Sequence, residues 1–189
     1  MAVFTALYDA NVLYPARLRD LLIRLAVTDL VQARWTTAIH AEWIRNVLRD
    51  RPDLTESQLQ RTRTLMDTAV PDSLVTGYEP LIATLVLPDP ADRHVLAAAI
   101  RGRADVIVTM NLQDFPAAAL APYSIEVQHP DVFIRRLLEL DPATVMDVVR
   151  RQRADLKRPP LTVTELLDGL DHIGLTQTVN FLRAHQDML

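Results

Sequence analysis

Residues 3–15 read VFTALYDANVLYP, and the change of character at Asp9 decides the fold class. Positions 3–8 form a largely apolar run of strand-forming residues, the run stops at an acid, and Pro15 stands where a helix begins. The order is strand, loop, helix. Working outward, Leu18, Leu21, Leu22, Leu25 and Ala26 recur at helical spacing. Thr36 or Thr37 suits the cap of a second helix carrying Ile39, Glu42, Trp43, Val47 and Leu48. Thr55 with Gln58 reads as a capping box that opens a third helix running to Val70. Pro71, Gly77 and Pro80 then mark turns around a short strand at 73–75, and a brief helix covers 80–85. Asp89 followed by Pro90 is a helix start, and the helix runs to about Gly102. The β-branched runs at 106–109 and 125–127 predict two more strands. Strands alternating with helices give an α/β fold, a central and mainly parallel sheet flanked by helices.

Beyond Pro130 no strand signal appears, and three or four helical segments remain. Asp141-Pro142 is a cap, Thr162 with Glu165 is a capping box, and Gly174 separates the last two segments. The reading is a domain over 1–130 and a C-terminal α-helical extension over 131–189. The extension is amphipathic, with Val145, Met146, Val148 and Val149, then Leu166, Leu167 and Leu170, then Val179, Phe181 and Leu182 as its apolar positions. Within it, Arg150, Arg151, Arg153, Lys157 and Arg158 before Pro159-Pro160 form a basic, linker-like stretch.

Composition narrows the chemistry. Of 189 residues 49% are hydrophobic and 23% charged, enough for a buried core and too apolar for a disordered chain. The net charge of -4 offers no bulk attraction for nucleic acid, so a polyanion would be held by a local patch. With no Cys, disulfide scaffolds, thiol catalysis and Cys-ligated zinc are excluded. Lys157 is the only lysine and lies in no P-loop, Schiff-base or phosphoacceptor context. The five histidines show no paired metal spacing. The start lacks the basic flank of a signal peptide, and no apolar run approaches the roughly 18 residues of a membrane span, so a cytoplasmic protein without membrane contact is expected.

Ligands of open parallel sheets bind beyond the carboxyl ends of the strands, and here the residues at those places are acidic. Asp9 ends the first strand, Asp89 and Asp92 start the helix before the third, Asp114 follows the strand at 106–109, and Glu42 comes from the second helix. If these five carboxylates converge, they repel one another and call for a cation. Mg²⁺ and Mn²⁺, which favour carboxylate and water oxygens, are the natural counterions, pointing to metal-assisted phosphodiester chemistry.

Four motifs carry a resemblance: Asp9-Ala10-Asn11-Val12-Leu13; His40-Ala41-Glu42-Trp43; the run from Asp89 through Asp92-Arg93-His94 to Ala99; and Thr109-Met110-Asn111-Leu112-Gln113-Asp114-Phe115. In order and spacing the chain resembles the PIN-domain family, and especially the VapC-type toxin ribonucleases of bacterial toxin-antitoxin pairs. The resemblance covers roughly residues 1–130. It implies a PIN-like fold and a Mg²⁺- or Mn²⁺-dependent endoribonuclease whose metal-binding acids are Asp9, Glu42, Asp92 and Asp114. Many members carry aspartate where Asn111 stands, so here the fourth carboxylate falls to Asp114. Asp9, Asp92 and Asp114 would hold a metal that activates water, while Glu42 ligates a second ion or orients the water, leaving a 5′-phosphate and a 3′-hydroxyl. Asn11 and Thr109 would fix the ligands by hydrogen bonds, with Asp89 and Asn111 as auxiliary groups. Arg45 and Arg49 share a helical face with Glu42 and, with Arg93, are candidates for RNA phosphate contacts. Partners implied are the RNA substrate, a cognate DNA-binding antitoxin and a second copy of the chain.

Each residue also has a structural reading. Asp89 before Pro90 is an ordinary cap, Asp92 suits a helix dipole, Glu42 suits a solvated helix face, and Asp114 suits a turn. Trp35 and Trp43 read as core or interface. If the acids are only caps and turn formers, the alternative is a catalytically inactive PIN-like module that binds RNA or protein. A receiver or aspartate-based phosphatase lacks its lysine and has Asn11 where a second Asp belongs.

Overall fold

The computed structural model describes residues 4–189, so position 3 of the first expected strand lies outside the described residues. β1 spans Thr5–Tyr8 and is buried along its whole length, which is why its sequence is apolar rather than alternating. One helical turn, α1 (Ala10–Leu13), and then α2 (Ala16–Val27) lead to β2 (Gln32–Arg34). The helices α3 (Thr37–Asp50), α4 (Glu56–Ala69), α5 (Glu79–Ile82) and α6 (Arg93–Arg101) separate β2 from β3 (Val106–Val108). After α7 (Ala117–Leu120) comes β4 (Glu126–Gln128), followed by α8 (Pro130–Leu140), α9 (Pro142–Asp155), α10 (Val163–His172) and α11 (Thr176–Arg183). No helix among the described residues is long and apolar enough to cross a membrane.

All four strands are parallel, in the order β2-β1-β3-β4. The chain runs outward from β1 to β2 and then crosses back past β1 to β3. It reverses at the β1–β3 pair, where open parallel sheets leave a crevice at the carboxyl ends. Tyr8 lies opposite Val108, and the Asp9 N–H donates to the Val108 carbonyl at 3.1 Å. Asp9 and Thr109, the next residues, therefore leave the sheet side by side.

Several expectations shift. β2 carries no strand signal, because Gln32 and Arg34 are polar and only Ala33 points into the core of this edge strand. The strand expected at 73–75 reduces to one bridge of Leu74 with Trp35, held by the Trp35 N–H on Ser73 and the Val75 N–H on Trp35. The strand at 106–109 stops at Val108, and the one at 125–127 moves one residue to Glu126–Gln128. The helix expected from Pro90 opens with a 3-10 turn, Pro90–Asp92. The basic stretch at 150–158 is mostly not a linker: Arg150, Arg151 and Arg153 lie within α9, where the first two pair with Asp147.

A single apolar core joins the sheet to the C-terminal helices. Tyr8 stacks on Trp35 with ring centroids 6.3 Å apart, and Phe133 of α8 meets Tyr8 edge-on at 6.0 Å and Phe4 at 5.9 Å. Asp131, buried in the first turn of α8, accepts the N–H groups of Gln177 and Thr178 at 2.9 and 2.8 Å, capping α11 from a neighbouring helix. A buried polar chain ties α3 to α4. The Trp43 indole donates to His40 Nδ1 at 2.9 Å, which leaves the ring proton on Nε2 facing Asp67 Oδ1 at 2.9 Å, and the Trp35 indole donates to the same oxygen at 2.8 Å. The bond accepted at Nδ1 requires a neutral ring, and burial, which lowers the His40 pKa, acts in the same sense. Trp35 and Trp43 are core residues, fully buried.

Candidate functional site

Asp9 takes extended backbone at the end of β1 and caps α1, with its Oδ1 accepting the Ala10 N–H at 2.7 Å. Its Oδ2 accepts from Asn11 Nδ2 and from the Thr109 hydroxyl, both at 2.8 Å. The Asn11 amide also donates to Thr109 Oγ1 at 2.9 Å, and its oxygen accepts the Met110 N–H at 2.9 Å. Thr109 Oγ1 in turn accepts the Asn111 N–H at 3.1 Å. This closed network locks the end of β1 to the end of β3 and leaves Asp9 only 5% exposed. Burial pushes the Asp9 carboxyl pKa up, the Thr109 and Ala10 bonds pull it down, and the Glu42 charge pushes it up again.

Asp92 ends the 3-10 turn before α6 and is half-buried. Burial first, and then the charges of Asp9, Asp114, Asp89 and Glu42, push its pKa from 3.8 to about 6. One carboxyl thus senses the other four acids, which come to the crevice from the end of β1, α3, the turn before α6 and the turn Leu112–Asp114. They do not close on a point. Among the described residues, no three His, Asp or Glu side chains come together closely enough to hold a metal ion by themselves. Asp89 acts as a cap, with its Oδ1 accepting the Ala91 N–H at 2.8 Å, and is exposed.

The raised Asp92 pKa has a stability consequence. Between pH 3.8 and about 6 the folded chain holds a proton that the unfolded chain has released, so the group favours the fold in acid and loses that contribution as pH rises through 6. In EDTA, Asp92→Asn is expected to melt a few degrees above the wild type at pH 8, and the gap is expected to close near pH 4. Melting curves at both pH values check this; equal melting at pH 8 contradicts it.

The other expected residues are distributed unevenly. Asn111 is exposed, and its side chain caps nothing in the turn that follows it. Arg45 is exposed, whereas Arg49 is engaged by Asp50 at 2.8 and 3.1 Å, with Tyr14 on the same carboxylate, which occupies the guanidinium that a phosphate would need. Arg93 is half-buried, and its Nε has no hydrogen-bond partner among the described residues. His94 went unassigned in the sequence for want of a paired spacing. Its Nε2 lies 3.6 Å from Glu42 Oε2, and the signal that finds it is its place two residues after Asp92 on the same helix start.

A crevice lined by acids at the carboxyl ends of β1 and β3 is the setting in which the PIN domain profile matches, over residues 5–113. The chain belongs to the PIN-domain family. A second profile, the VapC50 C-terminal domain, matches residues 130–184, the helices from α8 through α11. The PIN-domain chain is also similar to a Mycobacterium tuberculosis H37Rv protein named "Putative ribonuclease VapC50", with 44% identity over 107 residues. That alignment covers 54% of this chain and 63% of the relative, so it spans less than two thirds of the relative's length. No solved structure matches the chain.

Proposed function

We propose that this PIN-domain chain is a metal-dependent endoribonuclease, the toxin of a type II toxin-antitoxin pair. The observation that carries the reading is the gathering of Asp9, Glu42, Asp89, Asp92 and Asp114 at the carboxyl ends of the parallel sheet, near enough that the other four raise the Asp92 pKa. Such a cluster is relieved by a cation. An all-oxygen donor set fits Mg²⁺ or Mn²⁺, which keep several waters and need few carboxylates, so acids that do not close on a point still suffice. Asp9, Asp92, Asp114 and Glu42 would hold the ion. When bound, it supplies activation of water and neutralisation of charge on the scissile phosphate.

The chain's own groups do the positioning. Thr109 and Asn11 hold Asp9 in one orientation and, by donating to its carboxylate, favour the ionised form against the burial that opposes it. Arg45 and Arg93 flank the acids in sequence and are the arginines to meet RNA phosphates, Arg49 being engaged by Asp50. The relative's name, "Putative ribonuclease VapC50", supports RNA as the substrate, and the match to the VapC50 C-terminal domain supports the toxin class. An antitoxin protein and a second copy of the chain are the partners that go with that class.

Purified protein incubated with total bacterial RNA is expected to give discrete products ending in 5′-phosphate and 3′-hydroxyl in Mg²⁺ or Mn²⁺, none in EDTA, and recovery on adding excess Mn²⁺. The capping bonds that Asp9 and Asp89 make also favour a second reading, a non-catalytic RNA- or protein-binding module whose acids are caps and turn formers. Intact RNA after incubation with partner-free, metal-loaded protein selects that reading, and cleavage indifferent to EDTA rejects the metal.

A further inference from the structure

Asp9 is fixed by three hydrogen bonds, whereas the Glu42 carboxylate across the cluster accepts none among the described residues. Its ionic neighbour is His94, whose Nε2 lies 3.6 Å from Glu42 Oε2. The imidazole side chain is 20% exposed, and Nδ1 is buried with no hydrogen-bond partner among the described residues. A neutral imidazole carries one N–H. Placed on Nδ1, that proton is a buried donor with nothing to accept it, and a bare lone pair faces a carboxylate. On Nε2 the same proton sits on the side of the ring that lies 3.6 Å from the Glu42 carboxylate, close enough for attraction though longer than a formed hydrogen bond. The ring stands near enough to Asp9 that its protonated form would favour the Asp9 carboxylate, which puts it among the acids rather than beside them. The first turn of α6 thus supplies both an acid of the cluster, through the preceding Asp92, and the group that faces the acid from α3.

We propose that His94 is a positioning residue: its Nε2–H holds the Glu42 carboxylate toward the acid cluster and thereby sets the affinity of the centre for its divalent cation. This rests on the metal-centre reading above. Groups that orient a metal ligand typically change metal affinity or activity about 10- to 100-fold when removed. Titration of the full chain with Mn²⁺ by calorimetry is expected to show affinity about tenfold weaker in His94→Leu. His94→Gln, whose amide nitrogen reaches the place of Nε2, is expected to stay close to the wild type. His94→Asn, whose shorter amide reaches only the place of Nδ1, is expected to fall with His94→Leu. In RNA cleavage the same order is expected in kcat, with KM for RNA unchanged.

Equal Mn²⁺ affinity in the wild type and His94→Leu overturns the proposal. So does an equal loss in His94→Gln and His94→Leu, which assigns the effect to ring shape rather than to the donor. Wild-type protein that binds no Mn²⁺ overturns the metal centre and this inference together. Wild-type protein that binds Mn²⁺ but leaves RNA intact removes the ribonuclease alone, and the order of affinities then decides on His94.

Discussion

Asp9→Asn is expected to lower kcat/KM for metal-dependent RNA cleavage by about 10²- to 10³-fold without unfolding the protein. The carboxylate is the most firmly held acid in the crevice and the one on which β1 and β3 converge. If Asp9 holds the proposed metal, removing it would withdraw several kcal/mol of charge stabilisation from the transition state, and about 1.4 kcal/mol is a factor of ten in rate. Stability is expected to move the other way. The buried charge is costly enough to raise its own pKa, and the neutral amide relieves the repulsion from Glu42. One hydrogen bond is lost, because an amide has a single acceptor oxygen for donors at both ends of the original carboxylate. Single-turnover cleavage beside a thermal melt separates the two effects. An inactive variant that also melts far below the wild type would point to a structural role for Asp9, and a fully active one would remove it from the chemistry.

Asp131→Ala is expected to destabilise the protein by about 2 to 4 kcal/mol, since it leaves two N–H donors at the start of α11 without their acceptor, one of them buried, at roughly 1 to 3 kcal/mol for each such group. For a chain of this size that corresponds to a fall in melting temperature of about 5 to 15 °C. Asp131→Asn keeps one acceptor and is expected to fall about half as far. Limited proteolysis reports the location, with earlier cleavage between α10 and α11 than elsewhere. A melting temperature unchanged in Asp131→Ala would show that water replaces the carboxylate at no cost.

Local signals were the readable ones. Thr36, the Thr55 and Gln58 pair, Asp141, and the Thr162 and Glu165 pair all cap the helices expected of them, because a cap and its N–H lie within three residues. Asp9 was readable for a similar reason: an acid that ends a buried strand has few other uses. β2 was not readable, since an edge strand needs only one inward residue and Ala33 is a weak mark. Asp131 and Asp67 were beyond reach, because Asp131 meets residues 46 and 47 positions away and Asp67 meets His40 and Trp35. Arg49 shows what helical spacing leaves out: it shares a face with Glu42, and its guanidinium also pairs with Asp50, its immediate neighbour.

Phe133 has a consequence for how such chains can be recombined. It is wholly buried, and its ring rests on Phe4 and on Tyr8, the residue just before Asp9. A fragment cut before α8 would bare both aromatic rings on the sheet and is expected to clump rather than fold. A tail borrowed from a relative would have to match the contours of positions 4 and 8, so exchanging the last third of the chain amounts to rebuilding the floor beneath the acids.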